Sequence, residues 1–179
     1  MKKIMAISGI PGTGKTTLLK KFMEMYEWER VEPLKMLHAL YCRKMNLFVL
    51  GKYEPDEIYS GTDTLGMNIQ PVATEFVKTT KSNILFEGDR LTNCKFFDHI
   101  LQLETDFSII ILSANKEIVQ DRYKIRGSNQ SEIFLKGRQT KINNITSNMT
   151  YFDCMSIVKN NTEEDQIGII KSINDYFTL

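Results

Sequence analysis

Gly9, Gly14, Lys15 and Thr16 stand at the spacing G-x-x-x-x-G-K-[ST] within GIPGTGKTT, residues 9–17. This is the pattern of a loop that wraps phosphate groups. Gly9, Gly12 and Gly14 open backbone conformations closed to other residues and clear Cβ atoms from a ligand's path, so successive N–H groups can converge on phosphate oxygens. A helix beginning near Gly14 adds its positive end. Lys15 brings a mobile point charge to the terminal phosphates, and the Thr16 hydroxyl is a hard oxygen suited to Mg²⁺. Thr13 and Thr17 complete the expected set of triphosphate contacts. The rival reading, a glycine-rich turn joining a strand to a helix, leaves the lysine and threonine unexplained.

Further along, Glu87 and Asp89 are separated by one residue after an apolar run. Either carboxylate suits a metal ion, the other suits an acceptor, and spacing does not say which does which. A turn with an acidic cap is the plain alternative. Arg90 follows directly and can grip an acceptor phosphate with two parallel hydrogen bonds. Arg122 and Arg126 share a helix face, and Arg138 and Lys141 lie on the next helix. Between residues 116 and 141, seven Lys and Arg face three acids in a chain whose net charge is only +1. Cations on a helix, a loop and a second helix can close over phosphates and spread the charge that builds during transfer. Asp63 sits where an acceptor would bind, as a base for a hydroxyl, a partner for a base or sugar edge, or an ordinary turn residue. Tyr59, with Phe48 and Tyr53, is a candidate aromatic wall for a planar acceptor. His38 and His99 have no partners at metal-binding spacing and read as structural.

These residues need a frame. Residues 4–7 form a strand running into the loop, and Leu18, Leu19, Phe22, Met23 and Tyr26 follow at helical spacing. Pro33 breaks the pattern, and Leu34, Leu37, His38, Leu40 and Tyr41 suggest a second helix to about residue 46. Further strands are expected at 47–50, 84–86, 107–112 and 155–158. Helices are expected at 67–80, 93–101, 113–127, 131–148 and from 163 onward, with Thr162 as a cap. Strands alternating with helices predict an α/β fold with a parallel five-stranded sheet covered on both faces. The residues just after Ile7, Leu50, Phe86, Leu112 and Val158 should then meet at one edge.

With 179 residues, 42% hydrophobic and 25% charged, the chain has the make-up of one globular domain. Its near-zero net charge gives no global pull toward nucleic acid. Cys42, Cys94 and Cys154 are widely spaced and odd in number, as reduced core thiols are, and fit neither a disulfide framework nor a zinc site. The run at 109–112 falls far short of the ~18 residues of a membrane span, and the two N-terminal lysines precede a core strand rather than a signal peptide.

Four stretches, GIPGTGKTT, EGDR, DRYKIRG and VKNNTEED, give the chain a resemblance to P-loop kinases of the nucleoside-monophosphate-kinase-like group. The resemblance implies a P-loop NTPase-type sheet in a single domain over 1–179, with a helical lid at about 116–148 and an acceptor-binding insert at about 52–80. It implies ATP and Mg²⁺ as reactants. By likeness to thymidylate kinases, Asp89 sits near the metal or acceptor and Arg90 near the acceptor phosphate. Arg122 and Arg126 resemble lid arginines, and the loop from Asn160 to Glu163, with Thr162 in it, resembles one that skirts the adenine. The expected reaction is transfer of the γ-phosphate to a nucleotide-type acceptor, first a (deoxy)nucleoside monophosphate. The chain is also similar to small phage-encoded kinases, some acting on hydroxymethylated pyrimidines in DNA, so DNA is a second acceptor and host cytoplasm the expected setting. A nucleotide switch or motor ATPase is the reading from another class; the chain lacks the guanine-specific N-K-x-D.

Overall fold

The computed structural model describes residues 1–54, 60–127 and 130–178, with only the backbone at Arg126. At its centre runs β1 (Lys2–Ser8), whose residues Ile4, Ala6 and Ile7 have no exposed surface. A strand apolar on both sides suits a parallel sheet covered on both faces. Ile4 and Ala6 point into one core, and Met5 and Ile7 into the other. Its neighbours are β5 (Asn83–Glu87) and β6 (Thr105–Ser113), both parallel to it. Outside these lie β4 (Leu47–Leu50) and β7 (Met155–Lys159), again parallel.

Two more strands extend the sheet, so among the described residues it has seven strands and is mixed, where a five-stranded parallel sheet was expected. They are β2 (Glu29–Leu34) and β3 (Leu37–Cys42), an antiparallel hairpin occupying the stretch read as a second helix. Leu37 and Ala39 are two apart and face one core, and Leu40 and Cys42 are two apart and face the other, so the stretch suits a strand covered on both faces as well as a helix. Pairing decides between them: Ala39 lies opposite Leu50 and Cys42 opposite Leu47 on β4. Pro33 is tolerated because β2 is the edge strand and its register shifts between Val31 and Leu34.

The other elements form close to where periodicity places them. On one face α1 (Lys15–Met23) and α6 (Glu163–Thr178) bury Leu18, Leu19, Phe22, Ile169 and Ile173. On the other lie α2 (Ile69–Thr79), α3 (Cys94–Leu101) and the 3₁₀ turn Met149–Cys154. Asn93 caps α3 by accepting from the Phe96 N–H at 3.1 Å. Two helices stand over the carboxyl edge of the sheet: α4 (Lys116–Arg126), ended by Gly127 in the left-handed conformation, and α5 (Glu132–Thr146). Among the described residues no helix is long and apolar enough to cross a membrane.

Candidate active site at the carboxyl edge of the sheet

The loop after β1 turns at Gly14, whose φ of 88° begins α1, and a Cβ there would lie 2.6 Å from Asn160 Nδ2. Only glycine fits both the angle and the space. The loop is held from outside. Asn160, fully buried after β7, donates from Nδ2 to the Thr13 carbonyl at 2.7 Å. Arg122 on α4 donates from Nη1 to the Gly12 carbonyl at 3.1 Å and from Nη2 to the Asn160 carbonyl at 2.9 Å. Tyr123 donates its hydroxyl to the Pro11 carbonyl at 2.8 Å. Lys15 curls back so that Nζ donates to the carbonyls of Gly9 and Ile10, at 2.8 and 3.1 Å.

The end of β5 meets this loop. Thr16 donates from Oγ1 to Glu87 Oε1 at 3.0 Å, and Glu87 is buried. Glu87, rather than Asp89, is thus the carboxylate beside the threonine hydroxyl. Asp89 faces the other way: its carboxylate pairs with Arg138 Nε and, at 3.5 Å, with Lys141 Nζ, which also donates to the Asp89 carbonyl at 2.5 Å. Burial lowers the Lys141 pKa, with Asp89 opposing the shift.

The loop after β4 closes the third side. Lys52 and Gly61 pair through their backbones, bringing residues 60–64 against β5, where Thr62 Oγ1 donates to the Glu87 carbonyl at 2.8 Å. Asp63 Oδ1 accepts from the Asp89 N–H at 2.6 Å. The Asp63 carboxylate, at the solvent-accessible rim, has its pKa raised by desolvation first and by the Asp89 charge second, with Lys15 pulling the other way.

These parts line one cavity of about 260 Å³, to which Gly9, Gly12, Gly14, Lys15 and Thr16 supply one wall. Asp63, Glu87, Asp89, Arg90 and Arg138 supply the other, so residues read separately from the sequence share one space. Thr17 and Arg122 lie by a smaller side cavity of about 190 Å³ on the flank of the loop. Thr162 caps α6, its hydroxyl accepting from the Asp165 N–H at 3.1 Å. Phe48 packs against Tyr41 and Phe76, with ring centroids 4.5 and 5.1 Å apart, and belongs to the core rather than to an acceptor wall. Tyr53 is buried, with a pKa pushed well up by desolvation and by the Glu87 and Asp63 charges. Tyr59 and the Arg126 side chain lie outside the described residues.

Ser60, Gln130 and Phe134 line the cavity and escape the sequence reading. Phe134 was legible in principle, since Phe134, Arg138 and Lys141 fall on one helix face at spacings of four and three. The hard-oxygen pair of Thr16 and Glu87 fits Mg²⁺. Among the described residues no cluster of three acidic, His or Cys side chains could form a full cage. A cation here would take its remaining ligands from phosphate and water, as Mg²⁺ does.

A mixed sheet with a parallel centre, carrying a phosphate-gripping loop after its central strand, with cations arriving from helices above, defines a P-loop kinase, an enzyme class that draws its phosphoryl group from ATP. The family model described as P-loop Nucleotide Kinase3 matches residues 1–164, and the chain belongs to that family. Among solved structures it is similar to a gluconokinase from Sinorhizobium meliloti 1021, at a TM-score of 0.50 and 12% identity, covering 98% of this chain and 97% of that one. It is equally similar to an uncharacterized protein from Eubacterium ventriosum, at 0.50 and 14% identity, covering 98% and 99%. At these identities the likeness is one of fold. No curated protein matches the chain in sequence.

Proposed function

We propose that this chain transfers the γ-phosphate of ATP to a nucleotide-type acceptor, a (deoxy)nucleoside monophosphate in the first reading, in the cytoplasm where both reactants are supplied. The observation that carries it is the shared cavity, in which Lys15, Thr16 and Glu87 face Arg90 and Arg138. Phosphoryl transfer asks mainly for alignment and compensation of charge. In this reading the loop amides and Lys15 hold the β- and γ-phosphates, with Thr13, Thr17 and Asn160 supporting the loop. Thr16 and Glu87 hold Mg²⁺, which when bound neutralises charge on the phosphates. Arg90 takes the acceptor phosphate. Arg138 stands ready to exchange its Asp89 partner for phosphate oxygens, and α4 with α5 acts as the lid that brings Arg122, Arg126 and Arg138 to the reactants. Thr162 supports the adenine side through the loop it caps, and Tyr59 belongs to the acceptor segment.

A second reading rests on Asp63. A carboxylate with a raised pKa beside Lys15 suits a base that takes a proton from a hydroxyl acceptor, including a hydroxymethyl group on a pyrimidine within DNA. The experiment is a screen with γ-labelled ATP against nucleosides, nucleoside monophosphates, gluconate and hydroxymethylpyrimidine DNA, with Lys15→Ala as control. Label in a nucleoside diphosphate, lost in Lys15→Ala, is the expected result. Label in DNA, weakening steeply with salt, selects the second reading. Hydrolysis of ATP that depends on a protein partner, with no labelled acceptor, overturns both in favour of a switch or motor.

A further inference from the structure

Helix α5 presents a ladder to the cavity. Lys141 and Arg138 reach Asp89 at its foot, Phe134 stands one turn above Arg138, and Gln130 lies just before the cap residue Ser131. Ser131 accepts from the Phe134 N–H at 3.2 Å, which sets the first turn and so the position of the phenyl ring. The Arg138 guanidinium lies 4.5 Å from the Phe134 ring centroid. Phe134 as a residue is 39% exposed while lining the cavity. Gln130 lines it too, and its Oε1 is buried with no hydrogen-bond partner among the described residues. The same is true of Ser60 Oγ in the loop that carries Asp63. One cavity is thus lined by an exposed aromatic ring and by two buried polar atoms without partners among the described residues. All three are satisfied by one kind of guest: a flat ring with hydrogen-bonding groups on its edge.

We infer that Phe134 and Gln130 form the recognition wall for the acceptor's nucleobase, the base stacking on Phe134 while its N–H edge donates to Gln130 Oε1. This rests on the nucleotide-acceptor reading above and names the part of the acceptor that the site selects. The donor's own base is directed elsewhere, because the side cavity by Thr17, Arg122 and Gln166 opens on the flank of the loop, whereas Phe134 shares its cavity with Asp63 and Arg90.

The test compares the four deoxynucleoside monophosphates with abasic 2-deoxyribose 5-phosphate as acceptors. In the wild type the best base-bearing acceptor should exceed the abasic one in kcat/KM by about tenfold or more, the worth of one stacked base. Phe134→Ala and Phe134→Leu should both bring that ratio toward one, with KM for ATP changed less than about twofold, and Phe134→Trp should keep it. Leucine preserves apolar volume, so a loss common to both variants reports stacking and not unfolding. Gln130→Ala should change which base is preferred. An unaltered ratio in the Phe134 variants, or a rise in KM for ATP in place of the acceptor's, overturns the inference and leaves the kinase reading standing. Failure of the wild type to phosphorylate any of the four monophosphates removes the deoxynucleotide-acceptor reading and this inference with it, leaves the kinase class standing, and appears before any variant is made.

Discussion

Thr16 Oγ1 donates to Glu87 Oε1 at 3.0 Å, tying the first turn of α1 to the end of β5. The bond links the phosphate loop to the strand-end acid and puts a hydroxyl and a carboxylate side by side at the cavity wall. Glu87→Gln keeps the volume and an acceptor oxygen but removes the charge. The turnover number should fall roughly 100-fold, the scale of losing one preorganised charge-stabilising group. The Mg²⁺ concentration for half-maximal rate should rise, and titrating Mg²⁺ against initial velocity measures both. Asp89→Asn, whose carboxylate is taken by α5, should leave that Mg²⁺ dependence close to wild type.

Asp89 anchors α5 through Arg138 and Lys141 in a half-buried setting. Asp89→Ala leaves two cations facing each other, and should destabilise the fold by about 1–2 kcal/mol, between the value of an exposed pair and a buried one. Hydrogen exchange should quicken across residues 132–146 more than in β1 or β5. Equal protection of α5 in the wild type and in Asp89→Ala would place the helix's anchor elsewhere.

Gly61 adopts φ 73°, and a Cβ there would lie 2.4 Å from Glu87 Oε1. Gly61→Ala therefore meets both a disfavoured backbone angle and a clash with the acid that Thr16 contacts. A loss of about 1–3 kcal/mol in stability is expected, together with a fall in activity from displacement of Glu87. Melting curves and the rate with saturating ATP check the two parts.

Asp63 links pH to stability. Desolvation raises its pKa in the folded chain above the unfolded value, so the folded state holds that proton more tightly. Stability from this group is full at acid pH and is lost as pH rises through the folded pKa, above which the ionised carboxylate costs stability. Solvent access at the cavity rim keeps the effect small. Asp63→Asn can still accept the Asp89 N–H, and should melt at or above the wild-type temperature at pH 8, with the difference closing below about pH 4. Its effect on rate separates the acceptors: a large loss marks a hydroxyl acceptor that needs a base, and a small one a phosphate acceptor.

Much of this architecture was legible before any coordinates. The phosphate loop depends on glycine conformations and on residues adjacent in the chain, so GIPGTGKTT announces it locally. The parallel strands are apolar through their centres, and the helices carry one apolar stripe, so both periods survive in the sequence. What the tertiary structure alone decided is pairing across distance. Residues 29–42 suit a strand as well as a helix, and only β4, offering its free edge, makes them a hairpin. Glu87 and Asp89 are alike in type and two apart, and they diverge because Thr16 meets one while Arg138 and Lys141 take the other. Phe134 looks like any apolar residue on a helix, and becomes a wall of the cavity because those same two cations hold its helix over the strand end. Local chemistry is written in neighbours along the chain, whereas the partner of a charge is set by which elements the fold brings together.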